Sequence, residues 1–590
     1  MVAGTCHSGE AGDMRSKLAV WCLVVAMLSA QSVLGVDIVV NGADENQVID
    51  GFGTSVMNWM SAVYGNAQLR TDYARDLGCS VVRGELHPAA ITKDACMDRN
   101  PTQFGTDIDA NIALMDFVNQ SRVSITGGFM EAVYEQRLDE MKVMLSIWTP
   151  PDWMKANTNF GDPGCQSYGG HLIRTDANRT NFARYVAAWI KGFSQTYNIP
   201  VYCLSVQNEL DWAHSPSSWT TSCQYFSTVY PGGDTRTNNG PAVGVNDYNP
   251  AVQYVHDELE ANNLQIKFFG PEKSHIFRGI YDLSFQMFYI MDMADDGTMA
   301  IMDGFCHHGY AHTPTNRGII SSYWDGHSDA GNPSLNWDGI KTYGKPSWQT
   351  EAATHPITWQ GAVDLATTIQ DELVAGNLSA YLNWAYSSSS SDDTHSLIVN
   401  TNQRTDKYYA FKHFSRYIRP GAIRLGCSPD VPDGLSVSAY RHDANGTLTI
   451  VMVNRGNAQT ANITLPATPT GIPLLNVYTS RAGDLWAQST ATVSGSAVSV
   501  SVPSSAIVTL YGEGASSADK PRHGAAAPSG HTARPHSFVT LSPGERGDGV
   551  VVTARSHGTE AAVFDLRGRA VRRAAAFSDR TVGASAVSGR

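Results

Sequence analysis

From about residue 36 to residue 510, short apolar runs alternate with longer stretches whose apolar positions recur every three or four residues. That rhythm predicts repeated strand–helix units. The candidate strands end at Gly51-Phe-Gly53, Val81-Val-Arg83, Met144-Leu-Ser-Ile-Trp148, Leu204-Ser-Val-Gln-Asn-Glu209, Phe268-Phe-Gly-Pro-Glu272, Gly304-Phe-Cys-His-His-Gly-Tyr310, Ser347-Trp-Gln-Thr-Glu351 and Ala380-Tyr-Leu-Asn-Trp384. Helix-patterned stretches such as 181–197 and 362–375 lie between them, the first preceded by the cap candidates Asp176, Asn178 and Thr180. The pattern predicts an α/β chain with a (β/α)8 TIM barrel over residues 49–420. From about Ile423 the period shortens to two, as in Leu435-Ser-Val-Ser-Ala-Tyr440 and Leu448-Thr-Ile-Val-Met-Val453, with Asp443-Ala-Asn-Gly446 as a turn between them. This predicts a side-associated β-sandwich over 421–512, which the early strand Val36–Val40, within 36–48, joins from the other end of the chain.

The chain ends read differently. Arg15 and Lys17 precede the apolar run Leu18–Ala30 and then Val33-Leu-Gly35, so residues 1–35 read as a signal peptide with a mature start near Val36 and Met14 as an alternative initiator. The expected location is outside the cell, secreted or cell-surface-associated. The apolar run is short and no later one reaches spanning length, which predicts no integral membrane span. Residues 513–537, rich in Gly, Ala, Ser and Pro, read as a linker. Residues 538–590 form a tail. From 515 to the end there are 11 Lys/Arg against 6 Asp/Glu, and Ala561-Ala-Val-Phe-Asp-Leu-Arg-Gly-Arg-Ala-Val571 has a strand–turn–strand look. The segment reads either as a secretion or sorting module or as a solvated tail.

The 590 residues carry a formal net charge of −13, which argues against nucleic acid as a partner. Of nine cysteines, Cys6 and Cys22 lie in the leader. The remaining seven show no CxxC and no Cys/His ligand spacing, so neither a metal nor another cofactor is expected, and the odd count requires a free thiol. The expected protein is a monomer whose partner is a polysaccharide substrate.

That substrate class follows from two glutamates, Glu209 in Leu204-Ser-Val-Gln-Asn-Glu-Leu210 and Glu351 in Pro346-Ser-Trp-Gln-Thr-Glu351. Each follows a short strand, and the C-terminal ends of barrel strands are where barrel enzymes keep their chemistry. Paired carboxylates are the minimum equipment for cleaving a glycosidic bond: one must arrive neutral to protonate the leaving oxygen, the other charged to attack the anomeric carbon. Arg83, at the second strand end, can keep Glu351 ionised. Asn208 can bond a sugar 2-OH, Tyr310 and His308 can orient the nucleophile, and Trp148 and Trp384 offer flat faces to a pyranose. Structural readings stand beside these: an ion-pair partner for Arg83, a core histidine for His308, barrel caps for the tryptophans.

Five motifs in order, Ile49-Asp-Gly-Phe-Gly53, Trp148-Thr-Pro-Pro-Asp-Trp-Met154, Ser205-Val-Gln-Asn-Glu209, Trp348-Gln-Thr-Glu351 and the run from Lys407-Tyr-Tyr-Ala-Phe to Arg419-Pro-Gly421, give the chain over roughly 36–512 a resemblance to glycoside hydrolase family 30. The resemblance implies a retaining enzyme with a barrel and side β domain, Glu209 as acid/base and Glu351 as nucleophile. Ser205-Val-Gln-Asn-Glu-Leu-Asp-Trp-Ala-His214 looks most like the family's bacterial glucuronoxylan-cutting xylanases. Those enzymes read glucuronate with an arginine in the loop after the eighth strand, where this chain has Tyr386-Ser-Ser-Ser-Ser-Ser-Asp-Asp393. Leu210 also stands where the family commonly has proline. The expectation is an endo-β-1,4-xylanase with a relaxed glucuronate requirement. The alternatives are an endo-β-1,6-galactanase or β-1,6-glucanase, and, from another class, a non-catalytic carbohydrate-binding protein.

Overall fold

The computed structural model describes residues 35–60, 65–92, 104–137, 140–156, 170–210, 247–352, 355–429, 434–469, 471–514 and four C-terminal strands, Phe538–Pro543, Val550–Arg555, Ala562–Phe564 and Ala570–Arg573. The leader reading, most of the linker at 515–537 and Asp211-Trp-Ala-His214 lie outside the described residues. The chain divides into two compact units, one ending at Ser517 and one spanning Ala518–Arg590. In the second, Phe538–Pro543 pairs antiparallel with Val550–Arg555, and Ala562–Phe564 with Ala570–Arg573.

Eight parallel strands build the barrel of the first unit: Gly51–Ser55, Val81–Glu85, Lys142–Ser146, Cys203–Ser205, Lys267–Phe268, Phe305–His308, Ser347–Ala352 and Ala380–Asn383, here barrel strands 1 to 8. Strand 8 pairs with strand 1, and the parallel bridges Phe269–Gly304 and Lys273–His307 join strands 5 and 6, so the sheet closes. Val81, Met144, Cys203, Phe269, Cys306, Trp348, Ala380 and Leu382 form one buried cluster, an inward-facing layer drawn from strands 2 to 4 and 6 to 8 and from Phe269 just beyond strand 5. Strands 1 and 2 approach so closely that a Cβ at Gly53 would lie 1.8 Å from the carbonyl oxygen of Val81. Only glycine permits that contact.

The helices follow the sequence pattern with one shift. The stretch expected at 181–197 runs from Asp176 to Tyr197, because Thr175 is the N-cap, its side chain accepting from the Asn178 amide. The stretch expected at 362–375 runs from Trp359 to Val374 behind the Thr358 cap. Of the seven cysteines beyond the leader, Cys79, Cys203 and Cys306 are buried as free thiols and Cys427 is half-buried.

The nine-stranded sheet beside the barrel takes one of its interior strands from ahead of the barrel: Gly35–Val48 pairs antiparallel with Ile423–Ser428 and parallel with Gln459–Thr464. Its two halves share a core of Ile38, Val40, Ile450, Ile463, Val477, Val500 and Leu510, the packing of a β-sandwich. Tyr440, Val451, Val453 and Ile507 instead belong to the apolar cluster that surrounds the barrel. His413 bonds Thr509 and Ser480, each at 2.8 Å, across that seam. Ending the chain at Arg419 would strip this apolar surface bare, and the expected product is insoluble. Ending it after Glu513 should leave solubility and melting temperature within a degree or two of the full chain; soluble, active protein from the shorter cut would contradict the shared core.

Candidate active site

Glu209 and Glu351 meet at the C-terminal ends of strands 4 and 7. A carboxylate oxygen of each, together with a ring nitrogen of His308, lies within 4.8 Å of the others. Their approach depends on two local departures from regular backbone. Glu209 sits at φ +48°, the left-handed region that costs a non-glycine residue of order 1 kcal/mol and clusters at functional sites. Gln207 braces this turn, its Nε2 donating to the carbonyls of Trp148 at 2.8 Å and Asn208 at 2.7 Å. On strand 7 the register against strand 6 slips: Gln349 faces His307 and Glu351 faces His308, so Thr350 is an extra residue. A bulge of this kind re-aims side chains, and both Thr350 and Glu351 thereby reach the interior of the site.

Arg83 organises the cluster from strand 2, with no exposed surface. Its Nη1 donates to Glu351 Oε2 at 2.9 Å and to Ser55 Oγ at 3.1 Å, its Nη2 to Asn208 Oδ1 at 2.6 Å and to Glu272 at 3.3 Å, and its Nε to Ser146 Oγ at 3.1 Å. Its guanidinium lies 4.6 Å from the centre of the Trp148 ring. Tyr310 donates to Glu351 Oε1 at 2.7 Å. Both oxygens of Glu351 therefore accept bonds, one from a cation, which is the environment of an ionised carboxylate. His308 bonds Glu209 Oε1 through Nδ1 at 3.2 Å, with Nε2 3.8 Å from Glu351 and 3.9 Å from Glu272. Burial works against its positive charge, but Glu351, Glu209 and Glu272 outweigh it and raise the imidazole to about 10.

Arg83 and His308 are fully buried, and their hydrogen bonds go to other residues of the site: Arg83 to Glu351, Glu272, Asn208, Ser55 and Ser146, His308 to Glu209. His308 orients Glu209 rather than the nucleophile, because the hydrogen bond from Nδ1 goes there. Asn208 stays a candidate for the 2-OH, since its Oδ1 is taken by Arg83 and its NH2 remains as donor. Trp148 gives one face to Arg83 and leans on Trp384 with ring centres 6.2 Å apart. Trp384 is half-buried.

Sequence reasoning missed two members. Glu272, at the end of the predicted fifth strand, is fully buried and accepts from Thr350 at 2.6 Å as well as from Arg83. Burial alone would raise its pKa, but Arg83, His308 and Thr350 hold it far below the usual carboxylate range. The Phe-Phe-Gly-Pro-Glu272 strand end was the available signal. Trp59 is 60% exposed and packs edge-on against Trp384 at 5.7 Å; nothing in its neighbourhood in the sequence marks it. The ligand atoms of Glu209, His308 and Glu351 are close enough to hold a cation. An imidazole that stays protonated offers no lone pair, however, and Arg83 already occupies Glu351 Oε2, so the set is a poor metal cage.

No family model matches the chain. Among curated proteins it is similar to glucuronoxylanase XynC of Bacillus subtilis (strain 168), 22% identical over 441 residues, 71% of this chain and 78% of that protein. Among solved structures it resembles a GH30 endoxylanase from Clostridium papyrosolvens C71, with TM-score 0.56 and 20% identity over 81% of this chain and all of that one. It also resembles the endo-β1,6-glucanase BT3312, with TM-score 0.55 and 15% identity over 82% and 94% of the two chains. The fold is that of family 30, a TIM barrel with a β-sandwich at its side. Fold, ordered motifs and paired carboxylates together identify the chain as a glycosidase resembling glycoside hydrolase family 30.

Proposed function

We propose that the chain is a secreted, retaining endo-β-1,4-xylanase that cuts plant xylan without strict need of glucuronate. The observation that carries the reading is the approach of the Glu209 and Glu351 carboxylates to within 4.8 Å. Retaining glycosidases keep their carboxyl groups about 5–5.5 Å apart, whereas inverting ones leave room for a water at about 6.5–9.5 Å. Glu351, held by Arg83 and Tyr310, attacks the anomeric carbon. Glu209 protonates the leaving oxygen and later takes a proton from water. Charge balance fits these roles: Arg83 and His308 offset two of the three carboxylates Glu209, Glu272 and Glu351, so the set is neutral when one carboxyl carries a proton. The assignment places that proton on Glu209. As the sugar flattens toward an oxocarbenium ion, Asn208 bonds its 2-OH.

The relaxed side-group requirement rests on the loop after strand 8. Ser387 is buried, Ser388 half-buried, and Asp393 is held ionised below the usual range by His395, which donates from its ring and its backbone. Lys407 lies behind the loop and donates to the Thr394 carbonyl. A uronate carboxylate would meet Asp392 and Asp393 here without an arginine fork. Comparable rates on xylans with and without glucuronate are expected, with product lengths that do not track the side group. An arginine belongs at Ser388 rather than at buried Ser387. Ser388→Arg should raise the preference for decorated xylan about tenfold, the lower end of what a charge-assisted contact yields.

The likeness to the β-1,6-glucanase structure favours one other reading, a β-1,6-linked glucan or galactan substrate. Product analysis on a panel of xylans, β-1,6-glucan and β-1,6-galactan decides between them. Xylo-oligosaccharides of intermediate length support the proposal, and an untouched xylan ends it.

A further inference from the structure

A second constellation lies at the other end of the barrel. A cavity of about 300 Å³ is lined by Arg75, Arg137, Arg416, Arg419, Tyr417 and Tyr511. Arg75 belongs to the turn before strand 2, Arg137 to the turn before strand 3, and Arg416 and Arg419 follow the last barrel helix, Asp406–Ser415. These positions precede strand starts, whereas Glu209 and Glu351 stand at strand ends. The catalytic machinery therefore does not reach this cavity.

Its charge is poorly compensated. Arg137 and Arg419 share the single carboxylate of Glu140, and Arg419 also donates to the carbonyls of Gly78 and Ser415. Arg416 reaches the Asp76 carbonyl at 3.5 Å and lies 5.9 Å from the centre of the Tyr417 ring. The Asp76 carboxylate is occupied by Lys412 and Tyr408. Arg75 is exposed, and no carboxylate among the described residues pairs with it. The Nε of Arg419 is buried with no acceptor. Burial and the neighbouring Arg419 push Arg137 down to about 10, as expected where positive charges crowd. Four guanidinium groups line the cavity, two of them paired with Glu140, while Glu513 accepts from the lining Tyr511; in a chain of net charge −13 this is a local concentration of positive charge.

Beside the arginines runs a strip of half-buried aromatic rings. Tyr511 stacks on Tyr417 at 4.4 Å, Tyr417 on Tyr478 at 5.0 Å, and Tyr478 on Trp486 at 4.8 Å. Trp486 is held at φ +59°, unusual for a bulky side chain, and Lys412 lies 4.3 Å from its ring centre. Tyr511 ends this stack and lines the cavity, so its ring is the one placed to meet a sugar, and an arginine fork matches a carboxylate.

We propose that this cavity and the adjoining rings form a second carbohydrate-binding site, for polysaccharide segments that carry carboxylate groups. It would hold an acidic plant polysaccharide on the face away from the catalytic glutamates. The choice of sugar as ligand rests on the proposed glycosidase function; binding, not turnover, tests it.

The test measures binding of tetragalacturonate, xylotetraose and sodium phosphate to the full chain by titration calorimetry. Tetragalacturonate should bind in a manner that depends on Arg75 and Arg416, whereas binding of xylotetraose, which the catalytic groove supplies, should be indifferent to substitutions there. The pair Arg75→Ser/Arg416→Ser, exposed and half-buried respectively, should weaken tetragalacturonate about tenfold or more, with hydrolysis of an aryl glycoside and the melting temperature unchanged. Tyr417→Leu should weaken it further. Absent tetragalacturonate binding, binding indifferent to these substitutions, or phosphate binding as tightly as the tetramer would each overturn the site. A chain that binds tetragalacturonate through Arg75 and Arg416 yet leaves xylan intact would keep this site while ending the xylanase reading.

Discussion

Glu351→Ala is expected to lower kcat on xylan by more than about 10⁴-fold, because no other group can form the glycosyl intermediate. Azide, small and anionic, can occupy the space left beside Arg83 and Tyr310, whose bonds to Glu351 measure 2.9 and 2.7 Å. It should restore turnover and yield a glycosyl azide of inverted configuration. Glu209→Ala should behave differently. Loss of the general acid costs about 10²- to 10⁴-fold on xylan but little in the glycosylation step on aryl glycosides whose leaving group needs no proton. Kinetics of both variants on xylan and on an activated aryl glycoside, with the azide product resolved by NMR, check the pair. Identical behaviour of the two variants would remove the distinction between acid and nucleophile.

The sequence predicted these roles because each glutamate sits in a recognisable local setting, Gln-Asn-Glu209 after an apolar strand and Trp-Gln-Thr-Glu351 after another. The eight strand ends were legible for the same reason, since strand period and turn residues are local properties. The start of the 176–197 helix was misplaced because Thr175 acts as a cap through its own side chain, while the apolar pattern sets in only further on. Glu272 escaped notice because its strand end, Phe-Phe-Gly-Pro-Glu272, marks a position at the barrel mouth but not a role there. Its partners Arg83 and Thr350 come from strands 2 and 7, which barrel closure brings opposite strand 5. The bulge that turns Glu351 inward is likewise a fact of register between strands 6 and 7. Trp59 and the arginine cavity depend on contacts between elements far apart in sequence, and no period in the chain encodes them.

Arg83→Leu is expected to cost the fold about 3–5 kcal/mol, the penalty for leaving buried carboxylates without their cation. The magnitude follows from its contacts: Glu272 is fully buried and Glu351 nearly so, with side-chain exposures of 0 and 7%. The pH profile of stability carries the more specific signature. Glu272, depressed in the folded state, contributes stability that is present above the unfolded carboxylate value of about 4.3 and lost as pH falls below it. His308, raised to about 10, contributes stability that is fully present below the unfolded value and lost as pH rises through about 10. The wild-type protein should therefore hold a plateau at mildly acidic pH with a loss on either side. In Arg83→Leu the cation closest to Glu272 is gone, so Glu272 should take up a proton more readily and the acid limb should flatten. Glu272→Gln in the Arg83→Leu background removes one of the stranded charges and should recover part of the lost stability, though not activity, because Glu351 still lacks its partner. Denaturant unfolding of the three proteins from about pH 2 to pH 10 measures this. An Arg83→Leu protein as stable as wild type, with the same acid limb, would show that the guanidinium is not what holds Glu272 ionised.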